Sequence, residues 1–354
     1  MVPHYLVTGH TGFKGSWLSL LLKSRGHTVS GLALDPPIGG LFDRAGISFD
    51  MEHDLRVDVR DREEVIRAFK RVKPDFVIHM AAQALVREGY RDPLGTYETN
   101  VNGTLNILQA SDQTDSVTSQ LIVTTDKVYR EDGQNRSYVE SDPLGGNDPY
   151  SASKAAADIM AQEFLQNQRT KPGAIVRAGN VIGAGDTTRD RLVTDLVTAA
   201  TTKSTLKVRF PDAVRPWQHV LDCLDGYLAV ITKGLGLSHV AWNIGPNGAG
   251  LASVSSFLDY AKKILHDRFP LVEVEETRWF EAGHLSLDTS LALDKLGLAG
   301  RYGFEEAVKD SLSEALDYGG LTAREHVLAE ISRFEATLSR TSPQVESPDS
   351  AGSR

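Results

Sequence analysis

The first 27 residues place the tightest constraint on the fold. Tyr5-Leu6-Val7 is a short, continuous apolar run. Gly9, Gly12 and Gly15 follow it at three-residue spacing, and Trp17, Leu18, Leu21 and Leu22 then recur with helical period up to Gly26, which is placed to end the helix. A buried strand, a glycine turn and an apolar helix in that order form one βα unit of an α/β sheet. Each glycine has its own use: Gly9 for a tight turn, Gly12 for close approach of backbone to a diphosphate, Gly15 for close packing of helix on strand. Thr11 and Phe13 lie within the same turn. The first helical turn adds unpaired N–H groups and the positive end of a dipole. The spacing is GxxGxxG rather than GxGxxG. Its position between an N-terminal strand and a helix favours a dinucleotide site over an ordinary β-turn-α connection.

Strand and helix patterns alternate up to residue 180. Thr28–Leu34 reads as a second strand, followed by Asp35 and two prolines. Asp35 stands twenty positions after Gly15, where an acid can accept hydrogen bonds from an adenosine ribose; the alternative is a turn residue. Lys14 leaves a 2′-phosphate, and so NADP, open; NAD is preferred. Asp54–Asp58 suggests a third strand, with Asp58 and Val59 near an adenine edge. Asp61 and Glu64 have the spacing of a capping box. Phe76–Met80 is a fully apolar-flanked strand, and Ala81-Ala82-Gln83 after it is small enough for a cofactor to pass over, or for plain close packing. Asp92-Pro93 opens a helix that carries Asn100. Gln120–Thr124 and Ala174–Arg177 complete the series. Such alternation implies a doubly wound parallel sheet, with ligands beyond the carboxyl ends of its strands. Thr124, Thr125 and Asp126 lie at one such end. The expected organisation is a nucleotide-binding domain over 1–180, a smaller interleaved lobe over 181–340 with strands near 205–245 returning to the sheet, and a polar, disordered tail over 341–354.

Composition excludes several classes. The net charge of -9 gives no electrostatic case for nucleic acid or an anionic membrane. One cysteine, Cys223, allows neither an intrachain disulfide framework nor a CxxC metal site, and no metal is expected. No signal peptide and no membrane-length apolar run is visible, so a cytoplasmic protein is expected.

The second informative stretch is Asp148-Pro-Tyr150-Ser-Ala-Ser-Lys154. A Tyr and a Lys four apart share one helix face. An ammonium beside a phenol favours the phenolate, so Tyr150 can act as a base near neutral pH. Lys154 can also hold a nicotinamide ribose, and Thr125 can share the proton.

The opening glycine turn together with Tyr150-x-x-x-Lys154 resembles the extended short-chain dehydrogenase/reductase superfamily. Within it, GHTGFKGSWLSL (9–20), HMAAQ (79–83), TDK (125–127), DPLGGNDPYSASK (142–154), RAGNVIGAGD (177–186), RLV (191–193), RPWQHV (215–220) and AWNIGP (241–246) resemble the 4,6-dehydratases of CDP-glucose. Related enzymes of dTDP-glucose are expected to carry Asp-Glu where this chain has Asp126-Lys127. The resemblance implies a Rossmann-like fold, NAD, a nucleotide-sugar substrate and a homodimer. It also implies site roles: Tyr150 as base at the sugar 4-hydroxyl, Asp126 as acid at the 6-hydroxyl, and Lys127 as base or electrostatic stabiliser at carbon 5. Arg215 is the candidate for the diphosphate, with Arg87, Asn180, Arg191 and His219 as further substrate ligands. For these, an ion pair or a cap is the structural alternative. A 4-epimerase needs no acid/base pair at carbons 5 and 6, and a non-catalytic NAD(H)-binding protein needs no Tyr–Lys pair. Two departures concern the sugar side: Val128-Tyr129-Arg130-Glu131 stands where Cys-Tyr-Glu-Asn is expected, and Glu88-Gly89 follows Arg87 where a second basic residue is expected.

Overall fold

The computed structural model describes residues 2–167, 171–237, 239–246, 250–275 and 285–341. In chain order the strands are β1 (His4–Thr8), β2 (Thr28–Ala33), β3 (His53–Arg56), β4 (Phe76–His79), β5 (Ser119–Val123), β6 (Gly173–Ala178), β7 (Val181–Ile182), β8 (Leu206–Val208), β9 (Val214–Pro216), β10 (Gln218–His219), β11 (Ala241–Ile244), β12 (Leu251–Ser253) and β13 (Val272–Val274). Seven of them form one sheet in the order β11-β6-β5-β4-β1-β2-β3, every pair parallel. The central strands are buried on both faces, which is why they read as continuous apolar runs; all five residues of β5 are buried.

From β1 the chain winds outward through β2 and β3, then returns to place β4 on the other side of β1. Thr8 of β1 is therefore paired with Leu32 of β2 and with His79 of β4. In sheets of this kind ligands lie beyond the carboxyl ends of the strands at such a switch point. Helices cover both faces. Trp17 and Leu18 of the first helix, Phe13–Ser24, share a core with Tyr227, Trp242, Val327 and Phe334, so the last helix, Ala323–Thr341, packs back onto the first. The Trp17 indole N–H donates to the Ala184 carbonyl at 2.9 Å, tying that helix to the segment after β7.

A second core lies beyond the strand ends. Val193 and Leu196 of the helix Leu192–Thr202, Phe257 of Val254–Leu265 and Val308 of Phe304–Ser311 pack there with Val208 and Trp217. Three two-stranded ribbons frame it: β7 with β10, β9 with β12 and β8 with β13. Asp61 caps the helix Arg62–Val72 through the Glu64 N–H, and Asp92 caps Pro93–Tyr97 through the Gly95 N–H. The expected helix over 304–316 ends at Ser311 and continues as a tighter run, Ser313–Gly320. No helix among the described residues is long and apolar enough to cross a membrane. The expected tail beyond Thr341 lies outside the described residues.

Candidate functional site

The glycine loop has the geometry its spacing calls for. Gly9 has φ +73°, in the left-handed region. A β-carbon on Gly15 would stand 2.2 Å from the Gly9 carbonyl oxygen and 2.5 Å from the His10 Cα, so no side chain fits. At Gly12 the nearest atom to such a carbon is 3.4 Å away. Gly12 is the N-cap and supplies no side-chain cap, and no acid sits in the first turn. The first turn thus has neither a side-chain cap nor a negative charge at the positive end of a 12-residue helix, which fits a dinucleotide diphosphate. The Thr11 hydroxyl donates to the Leu34 carbonyl at 3.1 Å and fixes this loop to the end of β2. Phe13 begins the helix. Asp35 follows β2 with its carboxylate 90% exposed, 3.3 Å from the Arg56 guanidinium.

Several expected cofactor contacts are used by the scaffold instead. Asp58 accepts from the Arg60 N–H and guanidinium, and Arg60 holds its carboxyl below the usual range. Val59 is buried, and its carbonyl accepts from Asn106. The Asn100 amide accepts from the Gln83 N–H and donates to the Gln83 carbonyl and to Ser153, all within 3.0 Å. Asn100 is a brace, set on a π-helical turn, Glu98–Asn102. The Gln83 side chain is spent on Leu85 and Thr96, and the Thr124 hydroxyl on Asp158. The Ala81 N–H donates to Thr8; a β-carbon on Gly9 would stand 2.9 Å from that nitrogen, so small residues here serve close packing as well. Lys14 corrects another expectation. Its ammonium donates to the Tyr227 hydroxyl at 3.0 Å and lines the cleft beside Lys154, so the side chain is not directed to a ribose 2′-position.

The cleft itself has a volume of about 340 Å³ and lies between the strand ends and the second core. Thr124, Thr125, Asp126 and Lys127 enter from the end of β5; Tyr150 and Lys154 enter from one face of the helix Pro149–Asn167, as their spacing predicts. The electrostatics differ from the expectation. Burial pushes the Tyr150 phenol up to about 12, and what opposes this is a hydrogen bond with Thr125 and the Arg191 charge. Lys154 donates to the Val123 carbonyl at 2.7 Å, and burial beside Lys14 draws it down to about 8. One N–H of the ammonium is thus engaged by backbone.

Asp126 is 3% exposed. Oδ1 accepts from the Thr125 hydroxyl at 3.0 Å, while Oδ2 is buried with no hydrogen-bond partner. Burial raises its proton affinity against the opposing pull of Lys127, Thr125 and Arg215. A β-carbon on Gly179 would stand 2.9 Å from Oδ2, so glycine there makes room for this carboxyl.

Among the expected substrate ligands, Arg87, Asn180, Arg191 and Arg215 line the cleft. Arg87 pairs with Asp190 at 2.7 Å, and Arg191 with Asp186 at 3.4 Å. Buried Arg215 donates to the Val214 carbonyl. His219 does not line the cleft. It is 1% exposed, accepts the Leu221 N–H at Nδ1 as a helix N-cap, donates from Nε2 to Asp310 at 3.0 Å and stacks on Tyr302 at 3.9 Å. Its placement beside the loop motif reflects a cap rather than a ligand. Trp217 packs on Phe257 and donates to the Ala252 carbonyl. Asp310, His326 and Glu330 come within 4.8 Å of one another, yet their hydrogen bonds already run to His219, Ser313, Tyr302 and each other.

Sequence reasoning missed Glu131, Asp195, Lys207 and Arg209, all in the cleft wall. Glu131 restores a carboxyl one position after the one expected, while Arg130 is exposed. Arg209 lines the cleft together with its neighbours Val208 and Phe210.

Residues 5–245 match the family described as NAD dependent epimerase/dehydratase. A CDP-glucose 4,6-dehydratase of Salmonella typhimurium is 39% identical over 316 residues, covering 85% of this chain and 87% of that protein. A UDP-glucose 4-epimerase of Thermus thermophilus, solved in complex with NAD, superposes with a TM-score of 0.77 at 25% identity, over 88% of this chain and 99% of the other. A dTDP-glucose 4,6-dehydratase of Bacillus anthracis shares the fold, with a TM-score of 0.76 at 22% identity over 90% and 97%. With its glycine loop, its switch point and its Tyr150–Lys154 face, this chain belongs to the NAD-dependent epimerase/dehydratase family, the extended short-chain dehydrogenases/reductases.

Proposed function

We propose that this chain is a sugar-nucleotide 4,6-dehydratase that converts CDP-glucose to its 4-keto-6-deoxy product. One observation carries the reading: Asp126, buried and with a partnerless oxygen, stands in the same cleft wall as Lys127 and Tyr150. Oxidation alone needs a base; an adjoining acid and amine are what water elimination needs in addition.

NAD is held by the Gly9–Gly15 loop, with Asp35 at the adenosine ribose, and supplies reversible hydride acceptance. The chain's own groups do the rest. Tyr150 takes the proton of the sugar 4-hydroxyl, and Thr125 shares it. The resulting 4-ketone acidifies the proton on carbon 5, which Lys127 removes or whose enolate it stabilises. Asp126, whose proton affinity burial raises, is the acid for the departing 6-hydroxyl, and water leaves across carbons 5 and 6. Reduction at carbon 6 completes a reaction with no net redox change.

The test is incubation with CDP-, dTDP-, UDP- and GDP-glucose, followed by mass for loss of one water. CDP-glucose is expected to lose water; a product of unchanged mass would point to a 4-epimerase. Tyr150→Phe is expected to abolish turnover with NAD still bound, and retained turnover would remove Tyr150 as the base.

A further inference from the structure

The cleft holds two sets of charged groups. Around the reacting groups, the charges that act on Tyr150, Asp126 and Glu131 come from Arg191, Lys127 and Arg215. A separate set, not among the charges acting on those three groups, also lines the cleft. Arg87 bonds Asp190, Arg209 donates to the Asp190 carbonyl at 3.5 Å, and Asp195 has Asp190, Arg209 and Arg87 as its charged neighbours. This set is built on the second core: Asp195 on the helix Leu192–Thr202 and Arg209 immediately after β8. Leu192, Val208, Phe210, Ala213 and Val254 supply apolar wall beside it.

A nucleotide sugar is long, and its base is separated from the reacting hexose by a diphosphate and a ribose. With the hexose at Tyr150, the base belongs beside the second set. The apolar wall suits the faces of a planar ring. Its edge would meet one acceptor, Asp195, and one donor, Arg209, which form no ion pair with each other within 4 Å among the described residues. We propose that Asp195 and Arg209 read the nucleobase and select cytosine. The carboxylate accepts from the exocyclic N4 amine, and the guanidinium donates to N3 and O2. Uracil and thymine present an O4 acceptor in place of the amine and an N3–H donor in place of the N3 acceptor. Both groups then face the wrong partner, and like polarity at a desolvated site is a strong basis for rejection. The inference rests on the nucleotide-sugar reading above and names the residues behind its choice of base.

Binding of CDP, UDP, dTDP and GDP to the NAD-loaded protein by calorimetry separates this inference from the reaction. CDP is expected to bind at least tenfold more tightly than the other three. Asp195→Asn replaces an acceptor by an amide that can donate to O4. It is expected to weaken CDP about 10- to 100-fold, the effect of one charge-assisted hydrogen bond, and to strengthen UDP. Arg209→Gln, which removes the charged donor to N3 and O2, is expected to weaken CDP by a similar factor. Equal binding of CDP and UDP by the wild type, tighter binding of GDP, or an equal loss for every nucleotide in Asp195→Asn would overturn the assignment. Selective CDP binding without any loss of water from CDP-glucose would leave the base site standing and refute the dehydratase; water loss from another nucleotide sugar in preference to CDP-glucose would do the reverse.

Discussion

His219→Ala separates a cap from a ligand at a position where the sequence pointed to substrate. The ring makes two hydrogen bonds. Nδ1 faces the Leu221 N–H at 3.2 Å, so it must present a lone pair, and the proton on Nε2 is donated to Asp310 at 3.0 Å. Loss of an N-cap costs about 0.5–2 kcal/mol. Loss of a buried bond to a carboxylate costs about 1.5–3 kcal/mol. The stack on Tyr302 at 3.9 Å goes too. The two hydrogen-bond losses come to about 2–5 kcal/mol, a large fraction of a typical folding free energy of about 5–15 kcal/mol. Urea unfolding of the NAD-free protein, with the slope checked for constancy, measures it. The KM for nucleotide sugar is expected to stay within about twofold in whatever fraction is folded. A loss below about 1 kcal/mol, accompanied by a tenfold rise in KM, would refute the structural assignment and restore His219 as a ligand. Asp310 adds a pH signature. Hydrogen bonds from His219 and His326 hold its carboxyl well below the ordinary range. A depressed folded-state value gives stability that is present above the unfolded value, near 3.9, and is lost as pH falls through the folded one. His219→Ala is therefore expected to flatten the acid limb of the stability profile.

Lys127→Glu is expected to lower water elimination by about 10²- to 10⁴-fold while the melting temperature stays unchanged, because Lys127 lines the cleft and is only partly buried; normal elimination would take Lys127 out of the mechanism. Arg191→Met removes a charge that favours the Tyr150 phenolate, so the phenol should hold its proton to higher pH and the acid limb of kcat/KM should move upward. An unmoved limb with only a raised KM would leave Arg191 as a substrate ligand alone. Gly15→Ala drives a methyl group into the Gly9 carbonyl, and is expected to weaken NAD more than tenfold in a fluorescence titration and to cost about 1–3 kcal/mol of stability. Full NAD affinity in this variant would mean that helix and loop do not pack as closely as described.

The fold was legible wherever burial writes itself into local pattern. Parallel strands covered on both faces become apolar runs such as Leu121–Val123, and the glycine loop has a period that few other structures use. Caps were legible too, since the contact of Asp61 with Glu64 spans only three residues. What escaped was long-range partnering. Nothing around His219 announces Asp310, 91 residues away, and nothing around Asn100 announces Ser153. Gln83, Asn100 and Thr124 carry the expected chemistry in the expected strings, and each also bonds a scaffold group that its local sequence does not announce. The direction of Lys14, the feature that left NADP open, was not legible either. A helix turns its residues through successive faces, and one position decides whether an ammonium meets a ribose or Tyr227.

The same accounting explains why the cleft divides its labour as it does. Burial drives each isolated group at the reacting end toward its neutral form: Tyr150 and Asp126 are raised, Lys14 and Lys154 lowered. A departing hydroxide needs a proton donor, and burial raises the proton affinity of Asp126, whose Oδ2 has no donor to stabilise its anion. Asp186 and Asp190 cannot play that part, since each is held by an arginine. Under the proposed reading, the two arginines that line the cleft in carboxylate pairs, Arg87 and Arg191, are the charges an anionic diphosphate would compete for. A diphosphate that enters has to take Arg87 or Arg191 from a carboxylate. Part of the binding energy is thus spent on exchanging partners, and only a molecule long enough to repay it can hold its sugar against Asp126 and Tyr150. That requirement makes a nucleotide sugar, and not a free hexose, the substrate this arrangement of charges suits.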